Sequence, residues 1–326
     1  MAIVLKEAYF LSSTGINRIR CNIWEDDTLP KRGVFQIAHG VSEHIDRYDA
    51  FARFLASNGF VVCGNDHLGH GKSVDSPEDY GFFAEEDGDL RMVDDMHILT
   101  QIMKRRYPGL PYILFGHSMG SFCARSYAAA FGYELDGLIL CGTGELPASA
   151  TVLEGPIRYL AKKLGPRTPV NNALFDKIST IGIKNKRTDK DWLSLSEANV
   201  DAYILDPLCG IELRLGGVRD LISLANTACS TEWPYLVPVG LPILVISGAN
   251  DPVGMKGRGV ITVCDNLESA GHTPSVILYP TFRHEILNED EKEKVFEDVL
   301  EWLTNVLGPA PQTEAEPAAE AETEEA

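Results

Sequence analysis

The sequence predicts an α/β fold with a mostly parallel central sheet and helices on both of its faces. Short apolar runs alternate with amphipathic segments along most of the chain, which is the order that crossover helices between parallel strands require. Several of these runs end in loops rich in glycine and histidine, so polar side chains should gather at the carboxyl edge of the sheet. The length of 326 residues suits one large domain with an insertion.

The chain opens with a predicted antiparallel pair of strands, residues 4–11 and 17–23, joined by a turn at 12–15. In the second run apolar residues alternate with polar ones, which is the period of a strand with two unlike faces. A buried strand at 34–38 follows, and an apolar stripe then predicts a helix over 44–57.

The alternation continues regularly as far as residue 144 and returns after residue 240. The first stretch contains predicted strands at 60–63, 112–115 and 138–141 and helices at about 90–104 and 121–131. The second contains strands at 242–246 and 275–279 and helices at about 259–269 and 290–306. We interpret residues 1–144 and 240–307 as the core of the fold.

Residues 145–239, called the insertion below, break the pattern. Prolines interrupt this stretch, and apolar stripes predict only short helices, near 157–164, 198–205 and 221–228. We interpret the insertion as a helical cap over the carboxyl edge of the sheet. Residues 308–326 hold six Glu, no Lys or Arg and no large apolar side chain, which predicts a disordered acidic tail.

Charge and composition exclude several classes of partner. The formal net charge of −18 argues against nucleic acid. No stretch is long enough for a membrane span, and the apolar start is too short for a signal peptide. The seven cysteines are scattered without a C-x-x-C pair, so we expect buried thiols and a cytoplasmic location.

The segment from Gly116 to Gly120 reads G-x-S-x-G and joins an apolar run to an Ala-rich helix. A sharp strand–turn–helix connection exposes the central serine, Ser118, and needs small residues on either side of it. The backbone amides at the start of the helix favour developing negative charge. The motif therefore predicts that Ser118 is a nucleophile.

Two later residues complete a predicted Ser-Asp-His arrangement. Asp251 follows one predicted strand, and His284 follows the next, so both should lie on the same edge of the sheet as Ser118. His284 would take the serine proton, and Asp251 would hold the imidazole tautomer. The backbone amides of Val41 and Met119 would form an oxyanion hole. Taken singly, Asp251 and His284 are equally compatible with a turn and a cap.

The other candidate residues are interpreted as structural. His272 precedes the last strand and should lie at the opposite edge of the sheet, whereas further histidines in the loops around the site should support or line it. These are His39, His67, His70 and His117. A metal site is the rival interpretation of this histidine-rich edge, but no H-E-x-x-H or similar spacing supports it. We therefore expect no metal and no cofactor.

Five segments together resemble the α/β-hydrolase fold and, within it, the monoacylglycerol lipase and lysophospholipase family, also classed as serine aminopeptidase-like. They are 39–48, 66–73, 116–120, 248–251 and 283–285. The resemblance covers the core and implies the same triad and oxyanion donors. It also implies a substrate that is a small acyl ester or lipid, with transient lipid contact through the insertion. Leu68 and Ser121 depart from residues common in the family.

Two alternatives remain open from the sequence. An iminopeptidase-type serine peptidase would need an acidic pair for a substrate amino group, and Glu197 and Asp201 are spaced to share a helix face. A non-catalytic binding protein on a hydrolase scaffold would use the same pocket as a receptor. Reaction of Ser118 with an activated ester distinguishes an enzyme from such a receptor.

Overall fold

The computed structural model describes residues 3–145, 152–171, 180, 183 and 186–309. Its strands are β1 (Ile3–Leu11), β2 (Arg18–Asp26), β3 (Gly33–Ala38), β4 (Phe60–Asn65), β5 (Tyr112–His117), β6 (Gly137–Cys141), β7 (Ile243–Gly248) and β8 (Ser275–Tyr279). The helices of the core are α1 (Asp49–Ala56), α2 (Gly88–Arg106), α3 (Met119–Phe131), α8 (Arg258–Ser269) and α9 (Lys292–Leu307). The insertion holds α4 (Glu154–Leu164), α5 (Glu197–Leu205), α6 (Leu215–Ala228) and α7 (Trp233–Leu236).

The eight strands form one sheet in the order β1-β2-β4-β3-β5-β6-β7-β8. Strand β2 runs antiparallel to both β1 and β4, and every other neighbouring pair is parallel. The predicted fold class is therefore confirmed, including the antiparallel pair at the start. Because the parallel strands share one direction, the loops after β3, β5, β6, β7 and β8 meet at a single edge of the sheet.

Two apolar clusters cover the two faces of the sheet. Leu99 of α2 and Tyr127 of α3 belong to one cluster, which Leu224 of α6 also joins. Phe51 of α1 and Val299 of α9 belong to the other. All five side chains are at most 1% exposed, and each such residue contributes on the order of 2–3 kcal/mol through burial.

One predicted helix differs from the structure, and one buried charge has no counterpart in the sequence analysis. The helix expected over 44–57 is a 3-10 turn, Ile45–Tyr48, followed by α1. On the polar face of β2, Arg18 is exposed, whereas Arg20 is only 2% exposed. Arg20 forms ion pairs with Asp46 and Asp66 there, because the 3-10 turn and the loop after β4 cover that face. The buried guanidinium of Arg20 is therefore paired with carboxylates instead of water.

The described part of the insertion has two unlike regions. Helix α4 exposes much of its apolar surface, including 62% of Tyr159 and 58% of Leu164. Helix α6 packs on α2 and α3, and its Leu224 and Ala225 are buried. Parts of the insertion and the acidic tail beyond residue 309 lie outside the described residues. The disorder expected of the tail therefore stays a prediction.

The cysteines of the chain are unpaired by disulfides. All seven cysteines have free thiols; five of them are buried, as the sequence predicts, whereas Cys209 and Cys229 are half-buried. Among the residues that the structure describes, no helix is both long and apolar enough to cross a bilayer.

Candidate active site

Ser118 lies on a strained turn between β5 and α3. Its φ of 53° and ψ of −121° are unfavourable for a residue with a side chain, and strain of this kind costs roughly 1–3 kcal/mol. A Cβ atom at Gly116 would collide with the carbonyl of Gly120, and one at Gly120 would collide with that of Ala38. Only glycines let strand and helix approach closely enough to hold Ser118 in this conformation.

Asp251 and His284 meet at the same edge, in the loops after β7 and β8. His284 Nδ1 lies 2.9 Å from Asp251 Oδ2, and the two side chains are only 2% and 0% exposed. The amide of Val253 donates to Asp251 Oδ1 over 2.8 Å, which fixes the carboxylate. Buried and doubly anchored, Asp251 holds the imidazole of His284 in one orientation.

The loop after β3 lies against Ser118. A Cβ atom at Gly40 would lie 3.2 Å from Ser118 Cβ, so the amide of the next residue, Val41, is close to the serine. His39 Nδ1 contacts Gly40 O at 2.7 Å, and the amide of His67 donates to His39 Nε2 over 2.9 Å. Because His39 must accept at Nε2, its proton lies on Nδ1 and is donated to the loop.

Burial controls the charge of this histidine cluster. It lowers the pKa of His67 to about 3 and that of His70 to about 4, and it also moves the pKa of His39 well below its usual range. The three rings are therefore neutral at pH 7. They support the loop that carries Val41, as the structural interpretation predicts.

A buried ion pair between Glu43 and His117 lies directly beneath the serine. His117 Nδ1 is 3.2 Å from Glu43 Oε1, and His117 Nε2 is 3.2 Å from the carbonyl oxygen of His284. Both partners are acceptors, so His117 carries a proton on each ring nitrogen. Burial alone would lower the pKa of His117, but the hydrogen bond and charge of Glu43 outweigh it and raise that pKa.

Glu43 also organises its other neighbours. It accepts hydrogen bonds from the amide of Gly40 (2.6 Å), from Tyr48 Oη (2.9 Å) and from Arg47 (2.9 Å). Burial alone would raise the pKa of Glu43, but His117 and Arg47 hold it well below its usual range. The carboxylate therefore ties the loop of Val41 to the serine turn.

Arg47 joins the core to the insertion. It forms a bidentate pair with Glu285 at 2.6 and 2.7 Å, and it donates to Asn199 Oδ1 of α5 over 3.0 Å. Asn199 in turn donates to Glu285 Oε2 over 2.7 Å. Glu285 is the neighbour of His284, so this network fixes the histidine loop and the start of α5 together.

A cavity of about 430 Å³ opens at Ser118 and His284. The core contributes the loop residues on one side, and the insertion contributes mostly apolar side chains on the other. Those from the insertion are Leu153, Val170, Asn171, Lys190, Trp192, Leu193, Tyr203, Leu213, Val218 and Leu221. The volume and the lining are typical of a site for a small apolar ligand.

The structure brings the predicted site residues together. Ser118, Asp251 and His284 lie at one edge of the sheet, Val41 lies on the cavity wall, and Met119 begins α3 beside Ser118. Their catalytic roles stay predictions. His272, as predicted, is at the opposite edge, where its Nε2 contacts Pro234 O at 2.9 Å.

The acidic pair of the peptidase alternative lies elsewhere. Arg187 contacts Asp201 at 2.7 Å and Glu197 at 4.0 Å. The side chains of Glu197 and Asp201 are 79% and 50% exposed. Neither residue is among the described residues that line the cavity. Glu197 and Asp201 therefore both pair with Arg187 on the surface.

The sequence predicts a supporting or lining role for His117, but it does not predict the network that joins His117 to Glu43, Arg47 and Glu285. The only signal was that each of these charged residues falls inside or beside a recognisable motif. Spacing along the chain does not reveal which of them are buried against one another, because 238 positions separate Arg47 from Glu285.

Comparison with known proteins identifies similar chains. The family model described as serine aminopeptidase, S33, matches residues 30–291. A monoacylglycerol lipase of Mycolicibacterium smegmatis is 29% identical over 305 residues, which is 93% of this chain and 98% of that protein. A monoglyceride lipase of Rattus norvegicus is 30% identical over 306 residues, or 89% and 88% of the two chains.

One solved structure has a very similar fold. A thermostable carboxyl esterase from Bacillus coagulans, determined in complex with glycerol, superposes with a TM-score of 0.86. It is 32% identical, and the match covers 94% of this chain and 100% of the esterase.

Proposed function

The chain belongs to the serine aminopeptidase S33 family, and from this premise we propose that it hydrolyses monoacylglycerols or lysophospholipids, with monoacylglycerols preferred. It is a serine ester hydrolase, as its similarity to monoglyceride lipases and to a carboxyl esterase establishes. The observation that carries the finer proposal is the buried contact of 2.9 Å between His284 and Asp251, beside Ser118 on an apolar cavity.

In the proposed reaction Ser118 Oγ attacks the acyl carbon while His284 takes the hydroxyl proton. The ester bond breaks, and His284 returns that proton to the departing alcohol oxygen. Water then attacks the acyl-enzyme with His284 again as the base, which releases the fatty acid and restores Ser118. Asp251 holds the His284 tautomer and offsets its charge in both steps.

The amides of Val41 and Met119 are the proposed oxyanion donors. Gly40 lies against Ser118, and Glu43 and His39 hold the loop that carries Val41. Met119 is the first residue of α3, where backbone N–H groups point away from the helix. A fixed donor of this kind contributes roughly 3–4 kcal/mol to transition-state stabilisation.

The insertion acts in this proposal as a cap that receives the acyl chain. Its contribution to the cavity is mostly apolar, which favours a fatty acyl group over a charged one. Val152, Tyr159 and Leu164 on or beside α4 are 71%, 62% and 58% exposed, which supports transient contact of this helix with a lipid surface. Tyr159→Ser with Leu164→Ser should slow hydrolysis of a vesicle-borne ester but not of a dissolved short-chain ester.

The test of the proposed function measures fatty acid release from 1-monooleoylglycerol and from a lysophosphatidylcholine with the same acyl chain. It also measures naphthylamine release from an aminoacyl-naphthylamide and nitrophenol release from p-nitrophenyl acetate. We expect wild type to cleave the monoacylglycerol fastest and to leave the naphthylamide intact. Ser118→Ala should lose activity by roughly a millionfold. Ser126→Ala is the matched control, because it removes a hydroxyl of α3, the helix after Ser118, that has no hydrogen-bond partner among the described residues.

Two outcomes would overturn parts of the proposal. Faster cleavage of the lysophospholipid would move the preferred substrate to that lipid class. Cleavage of short esters alone would remove the lipid function while leaving the ester hydrolase intact.

A further inference from the structure

His44, Asp206 and Cys209 form a cluster where the insertion meets the core. His44 precedes the 3-10 turn of the core, whereas Asp206 and Cys209 lie in the turn after α5. One ligand atom from each residue, a ring nitrogen, a carboxylate oxygen and the sulfur, lies within 4.8 Å of the other two. We propose that this cluster binds a divalent cation of the zinc class and thereby links the insertion to the core.

The turn after α5 holds two of the three ligands side by side. The amide of Leu208 donates to Asp206 Oδ1 over 2.8 Å, and the amide of Cys209 donates to Asp206 O over 3.0 Å. The second carboxylate oxygen, Asp206 Oδ2, faces His44 Nε2 at 2.8 Å. One turn therefore holds Asp206 and Cys209 together, with Asp206 in contact with the histidine and the Cys209 sulfur within 4.8 Å of both ligand atoms.

The two sides of the site are also held together without a metal. The amide of Gly210 donates to Ser42 O over 2.8 Å, and Ser42 Oγ donates to Ile211 O over 3.0 Å. These contacts flank the cluster on both of its chain segments. A cation would therefore bind with little further ordering of the backbone, and little of its binding energy would be lost to conformational entropy.

His44 supplies an independent sign of a ligand. The residue is 6% exposed, and its Nδ1 has no hydrogen-bond partner among the described residues. The nearest carboxylate oxygen is Asp46 Oδ2, at 3.8 Å. Histidines that bind a metal through one nitrogen usually direct the other N–H to a carboxylate. Coordination through Nε2 would place the proton on Nδ1, facing Asp46, and would give this buried nitrogen a role.

The donor set indicates the class of cation. A thiolate and an imidazole favour zinc over magnesium or calcium, which prefer oxygen ligands. Tetrahedral zinc with bonds of about 2.0–2.3 Å places neighbouring ligand atoms roughly 3.3–3.8 Å apart, and the cluster needs only small shifts to reach this. Binding breaks the S–H bond of Cys209 and releases its proton, and water would occupy the fourth position.

Sequence spacing does not indicate this site, because 162 positions separate His44 from Asp206. The expectation of no metal ligands rested on motifs in which the ligands are neighbours in sequence. The site lies outside the catalytic cavity, because none of the three residues is among the described ones that line it. The proposed ion is therefore structural and takes no part in ester hydrolysis.

The test uses the full chain after treatment with a chelator. Zn²⁺ is titrated in competition with a chromophoric indicator, and Co²⁺ is titrated while the absorption spectrum is recorded. We expect one equivalent of Zn²⁺, a rise in Tm on binding, and a thiolate-to-cobalt charge-transfer band. Cys209→Ala should remove the band and weaken Zn²⁺ binding by roughly tenfold or more.

Cys229→Ala is the matched control, because Cys229 is the other half-buried cysteine of the insertion. It should bind both ions as wild type does. Ester hydrolysis by Cys209→Ala in chelator verifies that this variant is folded. Equal Zn²⁺ affinity in wild type and Cys209→Ala, or a cobalt complex of wild type without the thiolate band, would overturn the proposal.

Discussion

The two walls of the cavity are built in different ways. On the core wall charged side chains are buried and share several partners: Glu43 is 3% exposed and pairs with both Arg47 and His117. In the insertion the ion pair of Glu197 and Arg187 is on the surface, where Glu197 is 79% exposed. The proposed chemistry needs atoms in fixed positions, and the core supplies them. Binding an acyl chain needs apolar area, which the mostly apolar side chains of the insertion supply on the other wall.

The sharpest test of this difference replaces a glycine by alanine in each region. Gly120→Ala places a methyl group against the backbone carbonyl of Ala38, which has no room to move, so we expect a loss on the order of 4–5 kcal/mol in the free energy of unfolding. Gly155→Ala in α4 meets open space and should stabilise the protein by roughly 0.5–1 kcal/mol. Urea denaturation measures both, and effects of the same sign would contradict the comparison.

The second prediction compares one glutamate from each region. Glu43→Gln leaves His117 without its buried counter-charge and leaves Arg47 with Glu285 as its remaining carboxylate partner, and it should cost about 3 kcal/mol of unfolding free energy at pH 7. Because the pKa of Glu43 is depressed in the folded protein, its stabilisation is complete above the ordinary value of 4.5 and is lost as the pH falls through the folded pKa. The measurement is urea denaturation of wild type and Glu43→Gln across this range.

Glu197→Gln is the control for that prediction. Its carboxylate is exposed and its ion pair with Arg187 is screened by solvent, so the free energy of unfolding should not change measurably. If Glu197→Gln lowered the free energy of unfolding as much as Glu43→Gln does, the insertion would depend on its surface ion pairs as the core depends on its buried ones.

The third and smallest effect concerns the apolar wall. Leu221→Trp should fill part of the cavity and lower the ratio of long-chain to short-chain ester hydrolysis by about tenfold, while acetate ester hydrolysis stays within a fewfold of wild type. Thr227→Trp, on the exposed face of the same helix, is the control. An unchanged chain-length profile in Leu221→Trp would mean that the acyl chain does not occupy this cavity.

The regular strands of the core are the part of the structure that the sequence predicts well. The strands of the core and the order Ser118, Asp251, His284 are readable because buried strands are continuous apolar runs and their carboxyl ends must meet. Local periodicity and the G-x-S-x-G turn carry this information. The antiparallel start and most helix bounds follow for the same reason.

Contacts between distant segments are not readable in this way. The alternation in β2 separates a polar face from an apolar one, but it does not show that Arg20 is buried in ion pairs with Asp46 and Asp66. The network of Glu43, Arg47 and Glu285 depends on three segments that meet only in the folded chain. Hydrophobic periodicity and sequence motifs depend on residues that are neighbours along the chain. These charged side chains, in contrast, form ion pairs with residues far away in sequence, such as Arg47 with Glu285.

Ser118 is the proposed nucleophile on the core wall, and the rest of the proposed reaction depends on it. The most direct measurement treats wild type, Ser118→Ala and Ser126→Ala with a fluorophosphonate and locates the adduct by peptide mass spectrometry. We expect one adduct per chain on Ser118 in wild type and Ser126→Ala, and none in Ser118→Ala. An adduct on another residue, or stoichiometric labelling of Ser118→Ala, would contradict it.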